Sequence, residues 1–406
     1  MAQRSNRSSR KELPRARKLS YATDRELLSC GIDPASLPYL KPKLGHRNLL
    51  LKNIKLYAAN ILKQSMLSIG GDVAVHRQVI SGKIEHSNCI LMGDLRHYRL
   101  LIEKLRLQPG LESIAETIEE QVFSDSTKLE LDLCGQRYQW KHLPVIMGIL
   151  NTTPDSFSDG GLFSDPEKAL DHALSMEEQG AEIIDIGGES SRPGAQGIEP
   201  EEEINRVIPV IRKVAAKIKI PISIDTSKAS VARAAVDAGA CLINDIHALG
   251  NDPDMLSAVR DTHAGVILMH MRGTPKNMQD NTSYNDIIDE IFTFLARGIE
   301  QCLEAGIDPS SILIDPGIGF GKDLSGNLHI IKHIEDFRSL KMPVVLGHSR
   351  KSFIGAVIDT PSDKRQEGTD AVSAWAVVKG VDMLRVHDVG HTHKVRTMIR
   401  AILESL

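Results

Sequence analysis

VIMGILNTTPDSFSDGG, residues 145–161, runs six apolar or small residues straight into a polar, glycine-rich loop, and a helical pattern follows. The same order of apolar run, polar loop and helical spacing recurs before the C-terminus at EIIDIG (182–187), ISID (222–225), LIND (242–245), GVILMH (265–270), ILID (312–315), PVVLG (343–347) and DMLRVHDV (382–389). Strands that are apolar on both faces belong in a parallel sheet covered by helices. Eight βα units in this length predict a closed (β/α)8 TIM barrel. An open doubly wound sheet is the alternative. It is disfavoured because the first run opens into no compact GxGxxG turn and nearly every run ends on a polar residue.

Working towards the N-terminus, KLELDLCGQRYQW (128–140) alternates Leu129, Leu131 and Leu133 with polar residues ahead of Gly135-Gln136, the pattern of a β-hairpin. Hairpin and barrel together span 126–406. A small α/β domain is expected over 46–125. There Ile54, Tyr57, Ala58, Ile61, Leu62 and Met66 keep helical spacing up to Gly70-Gly71, β-rich stretches follow near 73–80 and 88–92, and two further helices run through Leu95–Leu105 and about 111–122. It carries no catalytic motif, and His76, His86, Cys89 and His97 read as packing or surface residues rather than a ligand set. Residues 1–45 read as a basic, largely disordered tail and a linker punctuated by Pro34, Pro38 and Pro42. The first eighteen residues hold seven Lys or Arg against one Glu, with almost no large apolar side chain.

A chain of 406 residues fits two domains, and its formal net charge of −4 argues against a general attraction to nucleic acid or to anionic lipid. Small-molecule substrates fit better. The five cysteines are too far apart in sequence for a metal motif and read as reduced thiols. With no long uncharged apolar stretch, no membrane association is expected, and the expected location is the cytoplasm.

In a TIM barrel the C-terminal strand ends converge on one rim. Reading those ends collects Asn151, Glu189, Asp225, Asn244, His270, Asp315, Ser349 with Lys351, and Arg385 with His387. Any one of them could be a helix cap; a full ring of acceptors, amides, cations and a histidine is a binding site. Two carboxylates and an amide suit a flat heterocycle such as a pterin, whose pyrimidine edge offers an N–H beside an amino group. Lys351 can donate to the ring carbonyl and N5, and the planar guanidinium of Arg385 can stack on the ring or meet a phosphate. Asp155 and Asp159 read as turn formers, Met269, Met271 and Trp375 as packing, and His270 as pocket wall.

The segments MGILNTTPDSFSDGG (147–161), GGESSRPGA (187–195), DPGIGFGK (315–322), GHSRKSFIG (347–355) and RVHDV (385–389) resemble, in order, the motifs of the dihydropteroate synthases. The resemblance covers about 126–406, and longer members of that family carry an N-terminal α/β extension. It implies condensation of 6-hydroxymethyl-7,8-dihydropterin diphosphate with p-aminobenzoate, giving 7,8-dihydropteroate and pyrophosphate. Asp225, Asn244, Asp315, Lys351 and Arg385 would hold the dihydropterin, and Asn151 would ligate Mg²⁺. Asn151, Arg385 and His387 would face the diphosphate. Phe157, Ser191, Arg192, Pro193, Phe320 and Ser349 would line the p-aminobenzoate slot. Asp225, Lys351, Arg385 and His387 form the catalytic set, and no general base is implied. The family commonly has Thr where this chain has Ser191, which puts the fit of the slot and of sulfonamide mimics in doubt. A homodimer packed through barrel helices is also implied.

Two rival functions remain open to the sequence. A methyltetrahydrofolate-binding methyltransferase domain also holds a pterin on a barrel, but it has no diphosphate to bind. A non-catalytic pterin-binding relative is disfavoured because Asn151, Arg192 and Lys351 are all present.

Overall fold

The computed structural model describes residues 24–123, 129–152, 165–192 and 194–405. The chain divides into two compact units, residues 1–125 and 126–406.

In the first unit, β1 (His46–Lys55), β2 (Asp72–Val75) and β3 (His86–Asp94) form an antiparallel sheet in the order β1-β3-β2. Helices Leu56–Ile69, Leu95–Arg106 and Glu112–Phe123 bury Leu62, Met66, Leu101, Leu105 and Ile118 against one face of it. Gly70, at φ +93°, ends the first helix with its N–H on Leu67 O. Two expectations are corrected here. Ile54 lies in β1, not in the helix: a bulge between Leu51 and Ile54, with Asn53 at φ +55°, breaks the alternation that would have marked a strand. The Pro-containing segment is no irregular linker. Asp24–Ser29 is helical, and Pro34, Pro38 and Pro42 each open a short helical turn, the position where a missing N–H costs nothing.

In the second unit, β4 (Leu129–Leu133) and β5 (Gln136–Trp140) form the hairpin. Its turn falls one residue earlier than expected, at Cys134-Gly135, both at positive φ as a tight hairpin requires. The eight apolar runs are all strands: β6 (Val145–Asn151), β7 (Ile183–Gly187), β8 (Ile222–Asp225), β9 (Leu242–Asp245), β10 (Gly265–Met269), β11 (Ile312–Asp315), β12 (Val345–Leu346) and β13 (Met383–Val386). They pair in parallel from β6 to β11 and from β12 through β13 back to β6. The bridge Ile314↔Val344 closes the ring. Leu129, Leu131 and Leu133 pack on Val145, Leu242, Ile267, Leu313 and Met383, so the hairpin plugs the bottom of the barrel and leaves the opposite rim open. Trp375 is not core: it is 42 % exposed, and its indole N–H donates to Ile331 O at 2.9 Å. All five cysteines are free thiols. Among the described residues no helix is long and apolar enough to cross a membrane.

Barrel closure at β13-β6 also rests on the last helix, Val389–Leu403. Its Arg396 is buried and donates to Pro144 O at 2.9 Å and to Glu182 at 2.5 Å. Because Glu182 also accepts from Ile146 N at 3.0 Å, this guanidinium ties the helix to the entry of β6. Arg396→Ala is expected to cost about 3 kcal/mol of unfolding free energy, the order for breaking a buried ion pair. Urea denaturation checks it; a loss under about 1 kcal/mol would mean that the pair is incidental.

Candidate active site

Parallel register sets the polar strand ends side by side: Asn151 opposite Gly187, Gly187 opposite Asp225, Asp225 opposite Asn244, and Met269 opposite Asp315. Gly187 lies between the two side chains: a Cβ there would be in ordinary contact with Asp225 Cβ at 3.4 Å and Asn151 Oδ1 at 3.7 Å.

Arg385, from β13, reaches across this ring. Its Nε donates to Asp185 Oδ2 at 2.5 Å and its Nη2 to Asp225 Oδ2 at 2.6 Å. Asn244 Nδ2 donates to the same Asp185 oxygen at 3.3 Å. Burial opposes the guanidinium charge, but Asp185 and Asp225 more than offset it and hold Arg385 above its ordinary pKa. Burial pushes Asp225 up to about 7 against the pull of Arg385, with Asp185 adding to the rise. Asp185 is fully buried and the sequence reading missed it. Its signal was there, as the one acid inside the otherwise apolar run EIIDIG, placed ahead of the strand end where the search was made.

On the other side, Asp315 accepts from Gly317 N at 2.7 Å, and burial raises its pKa although Lys351 pulls it down. Lys351 Nζ donates to Ile318 O and stands 4.5 Å over the Phe320 ring. Burial brings this ammonium down to about 8, with Asp315 acting the other way and Arg385 adding to the fall. Gly347 leaves the gap between the two halves: a Cβ there would lie 3.6 Å from Asp315 Oδ2 and 3.9 Å from Arg385.

His387 packs on Ser349, with Nδ1 3.0 Å from Oγ and its backbone N–H donating to the same oxygen at 3.2 Å. Burial, then Arg350, Arg385 and Arg192, push its imidazole down to about 3. His387 is therefore neutral near pH 7, and the cations of the rim are Arg385 and Lys351. Since Ser349 is buried and engaged, the exposed hydroxyl of this motif is Ser352, at the start of helix Ser352–Ile358.

Two rim residues turn away from this cluster. Glu189 binds Ile198 N at 2.8 Å and Lys228 at 2.9 Å, and His270 faces Lys322 at 3.0 Å. Asp225 is no helix cap; Lys228 occupies the N-cap of the following helix. Ser191 and Asp225 both line a cavity of about 350 Å³, walled by Ile246, His247 and Pro275. Gly194 N–H donates to Pro275 O at 2.9 Å, which docks the second loop beside it, and Arg192 on that loop is exposed. Phe157 and Pro193 lie outside the described residues, as do Asp155 and Asp159. Among the described residues no group of three His, Cys, Asp or Glu could hold a metal. Asn151, half-buried at the end of β6, offers one amide oxygen at the rim.

The site is thus a floor of opposed charges, with Arg385 among Asp185 and Asp225 on one side and Lys351 beside Asp315 on the other. It suits a planar, donor-rich ring with an anionic tail.

The pterin binding enzyme family matches residues 147–387. The dihydropteroate synthase of Bacillus subtilis is 45% identical over 264 residues, which cover 65% of this chain and 90% of that protein. A probable bifunctional folylpolyglutamate synthase/dihydropteroate synthase of Haloferax volcanii is 35% identical over 342 residues, 82% of this chain and 40% of that protein. Among solved structures, Xanthomonas albilineans dihydropteroate synthase with 4-aminobenzoic acid superposes with a TM-score of 0.64 at 42% identity, covering 69% of this chain and all of that one.

Proposed function

Since the chain belongs to the pterin-binding enzyme family, we propose that it is a dihydropteroate synthase, an enzyme of folate synthesis that joins 6-hydroxymethyl-7,8-dihydropterin diphosphate to p-aminobenzoate. The observation that carries this reading is Arg385 clamped between Asp185 and Asp225 and facing Asp315 and Lys351 across the barrel mouth.

The donor edge of the dihydropterin lies against Asp315, whose carboxylate keeps lone pairs beyond the one given to Gly317. Asn244 spends its Nδ2 on Asp185, which leaves its carbonyl oxygen as an acceptor for the ring. Lys351 donates to the ring carbonyl and N5. Arg385 uses two of five N–H donors on carboxylates, and the remainder serve the ring face and the diphosphate. His387 meets the diphosphate as a neutral donor. The arylamine nitrogen attacks the exocyclic methylene; the C–O bond to the diphosphate breaks, its electron pair leaves with pyrophosphate, and the arylamine proton passes to solvent. Asp225 places negative charge beside the electron-poor carbon, and Arg385 stabilises the departing anion. No general base is required, because the weakly basic arylamine is unprotonated at neutral pH.

A single amide oxygen at Asn151 fits Mg²⁺ that keeps waters and takes its other ligands from substrate phosphates, not a metal caged by protein alone. Bound there, it would neutralise charge on the leaving group. Phe320, Ser191 and Arg192 wall the p-aminobenzoate slot, and Ser349 holds His387 behind it.

Leu324, Leu328, Val357, Ile358, Trp375 and Val378, on three successive barrel helices, are all exposed, which supports a homodimer through this face.

Three outcomes test these statements. Purified protein given Mg²⁺, dihydropterin diphosphate and p-aminobenzoate should form dihydropteroate and pyrophosphate one for one, and EDTA should abolish both; a folded protein that binds dihydropterin and makes no product refutes the synthase reading. Because the Lys351 ammonium is lost as pH rises through about 8, where an ordinary lysine stays charged to about 10, dihydropterin affinity should fall roughly tenfold per unit above that point. Lys351→Arg should bind more weakly but without the fall, and calorimetry across the range decides. Light scattering should give a dimer for the parent and a monomer for Trp375→Glu; a parent that runs as a monomer at micromolar concentration removes the dimer.

A further inference from the structure

Lys322, the last residue of DPGIGFGK, takes no part in the chemistry above, yet it is 2 % exposed and fully furnished with partners. Its Nζ lies 2.8 Å from Phe320 O, 3.2 Å from His270 O and 3.0 Å from His270 Nδ1. These are three contacts for one ammonium, and none is to solvent.

The loop that it closes needs holding. Gly317, Gly319 and Gly321 all have positive φ. A Cβ on Gly317 would fall 1.9 Å from His270 O, and one on Gly321 would fall 2.7 Å from Arg272 O, so the loop lies directly on the 270–272 backbone. Side chains grip its other peptides: Asn327 accepts from Gly319 N at 2.7 Å, Gln279 donates to Gly319 O at 3.2 Å, and Tyr284 donates to Gly321 O at 2.9 Å. Lys322 holds the peptide of Phe320 itself. The Phe320 ring in turn lies under Lys351 and packs with Met269, Met271 and Met278.

We infer that Lys322 is a positioning residue that fixes the Phe320 peptide against His270, and thereby the aromatic wall of the acceptor slot, without touching either substrate. The identity of the acceptor as an arylamine rests on the synthase reading. Both protonation states of the amine serve this purpose. An ammonium donates three times, whereas a neutral amine donates to the two carbonyls and accepts from the imidazole. The role is therefore independent of pH, unlike that of Lys351. Asp225, Asn244 and Arg385 stand on other strands and make no hydrogen bond to the Lys322 amine, and Asp315 and Lys351 feel it only through space, so the larger effect falls on the acceptor slot.

The test compares the full-length parent with Lys322→Met, which keeps the stem and loses the donors, and Lys322→Gln, which keeps a polar end. In Lys322→Met, KM for p-aminobenzoate should rise about tenfold or more, the order expected when buried carbonyls are left without their donor. Its kcat and the dissociation constant for dihydropterin diphosphate should stay within about twofold. Lys322→Gln should recover part of the rise. Hydrogen exchange of peptides spanning 317–321 should quicken in Lys322→Met while the barrel strands keep their protection, a readout that needs no turnover. Unchanged exchange there overturns the inference even if the protein proves not to be a synthase. An equal loss at both substrates, or a fall in kcat alone, overturns it too. If Lys322→Met does not fold, Lys322→Gln carries the same comparison, and parent-like KM and exchange in that variant refute the role.

Discussion

The ion-paired guanidinium of Arg385 governs the design of the barrel mouth. A charge drawn partly out of water is costly unless it is paired, and here two carboxylates from neighbouring strands supply the pairing at 2.5 and 2.6 Å. Asp185 is so deeply placed that, among the described residues, its second oxygen has no hydrogen-bond partner, which is hard to justify by stability alone. The arrangement makes sense as preorganisation. With its plane fixed before any ligand arrives, Arg385 need not reorganise when negative charge develops on a leaving group. The same interaction binds β13 to β7 and β8, so the element that stabilises charge also helps to hold the ring in shape.

Opposite it, the motif DPGIGFGK shows why a glycine-rich loop need not be a flexible one. Three positive-φ glycines let the backbone lie against the 270–272 segment, closer than any side chain would allow. Side chains from other elements then satisfy the exposed peptides one by one. Permissive φ values set the path, and hydrogen bonds remove the freedom that glycine would otherwise bring. The outcome is a rigid floor for Phe320 and Lys351, in contrast to the second loop, whose backbone contact to Pro275 is a single bond at 2.9 Å.

Much of this was legible in the sequence because two periodicities did not compete. Apolar runs separated by helical patterns gave the eight strands, and the topology of a parallel barrel then placed Asp225, Asn244, Asp315, Lys351 and Arg385 at one rim without knowledge of any contact. What could not be read was of another kind. A bulge at Asn53 hid β1, and Asp185 escaped because a buried acid one turn of the pleat below a strand end looks like an interruption, not a ligand anchor. Lys322 looked like the end of a motif, since its value lies in acceptors 2 and 52 residues away. His387 was placed at the diphosphate by resemblance, and its burial among guanidinium groups, which keeps it neutral there, could not be read from the sequence. Trp375 was assigned to the core by hydrophobicity, although an indole that gives its N–H to a carbonyl and lies beside exposed Val378 marks a surface.

The first unit poses a different question. The Haloferax volcanii relative matches 82% of this chain, more than the barrel unit occupies, so the resemblance to it reaches into residues before 126. The Bacillus subtilis relative matches 65% of the chain and almost its own full length. A barrel of that length accounts for 90% of a synthase without any counterpart to the first unit. The described rim residues argued above all come from the second unit. In the sheet of the first unit one face buries a small core, while the other carries Leu50 and Ile90 in register and exposed.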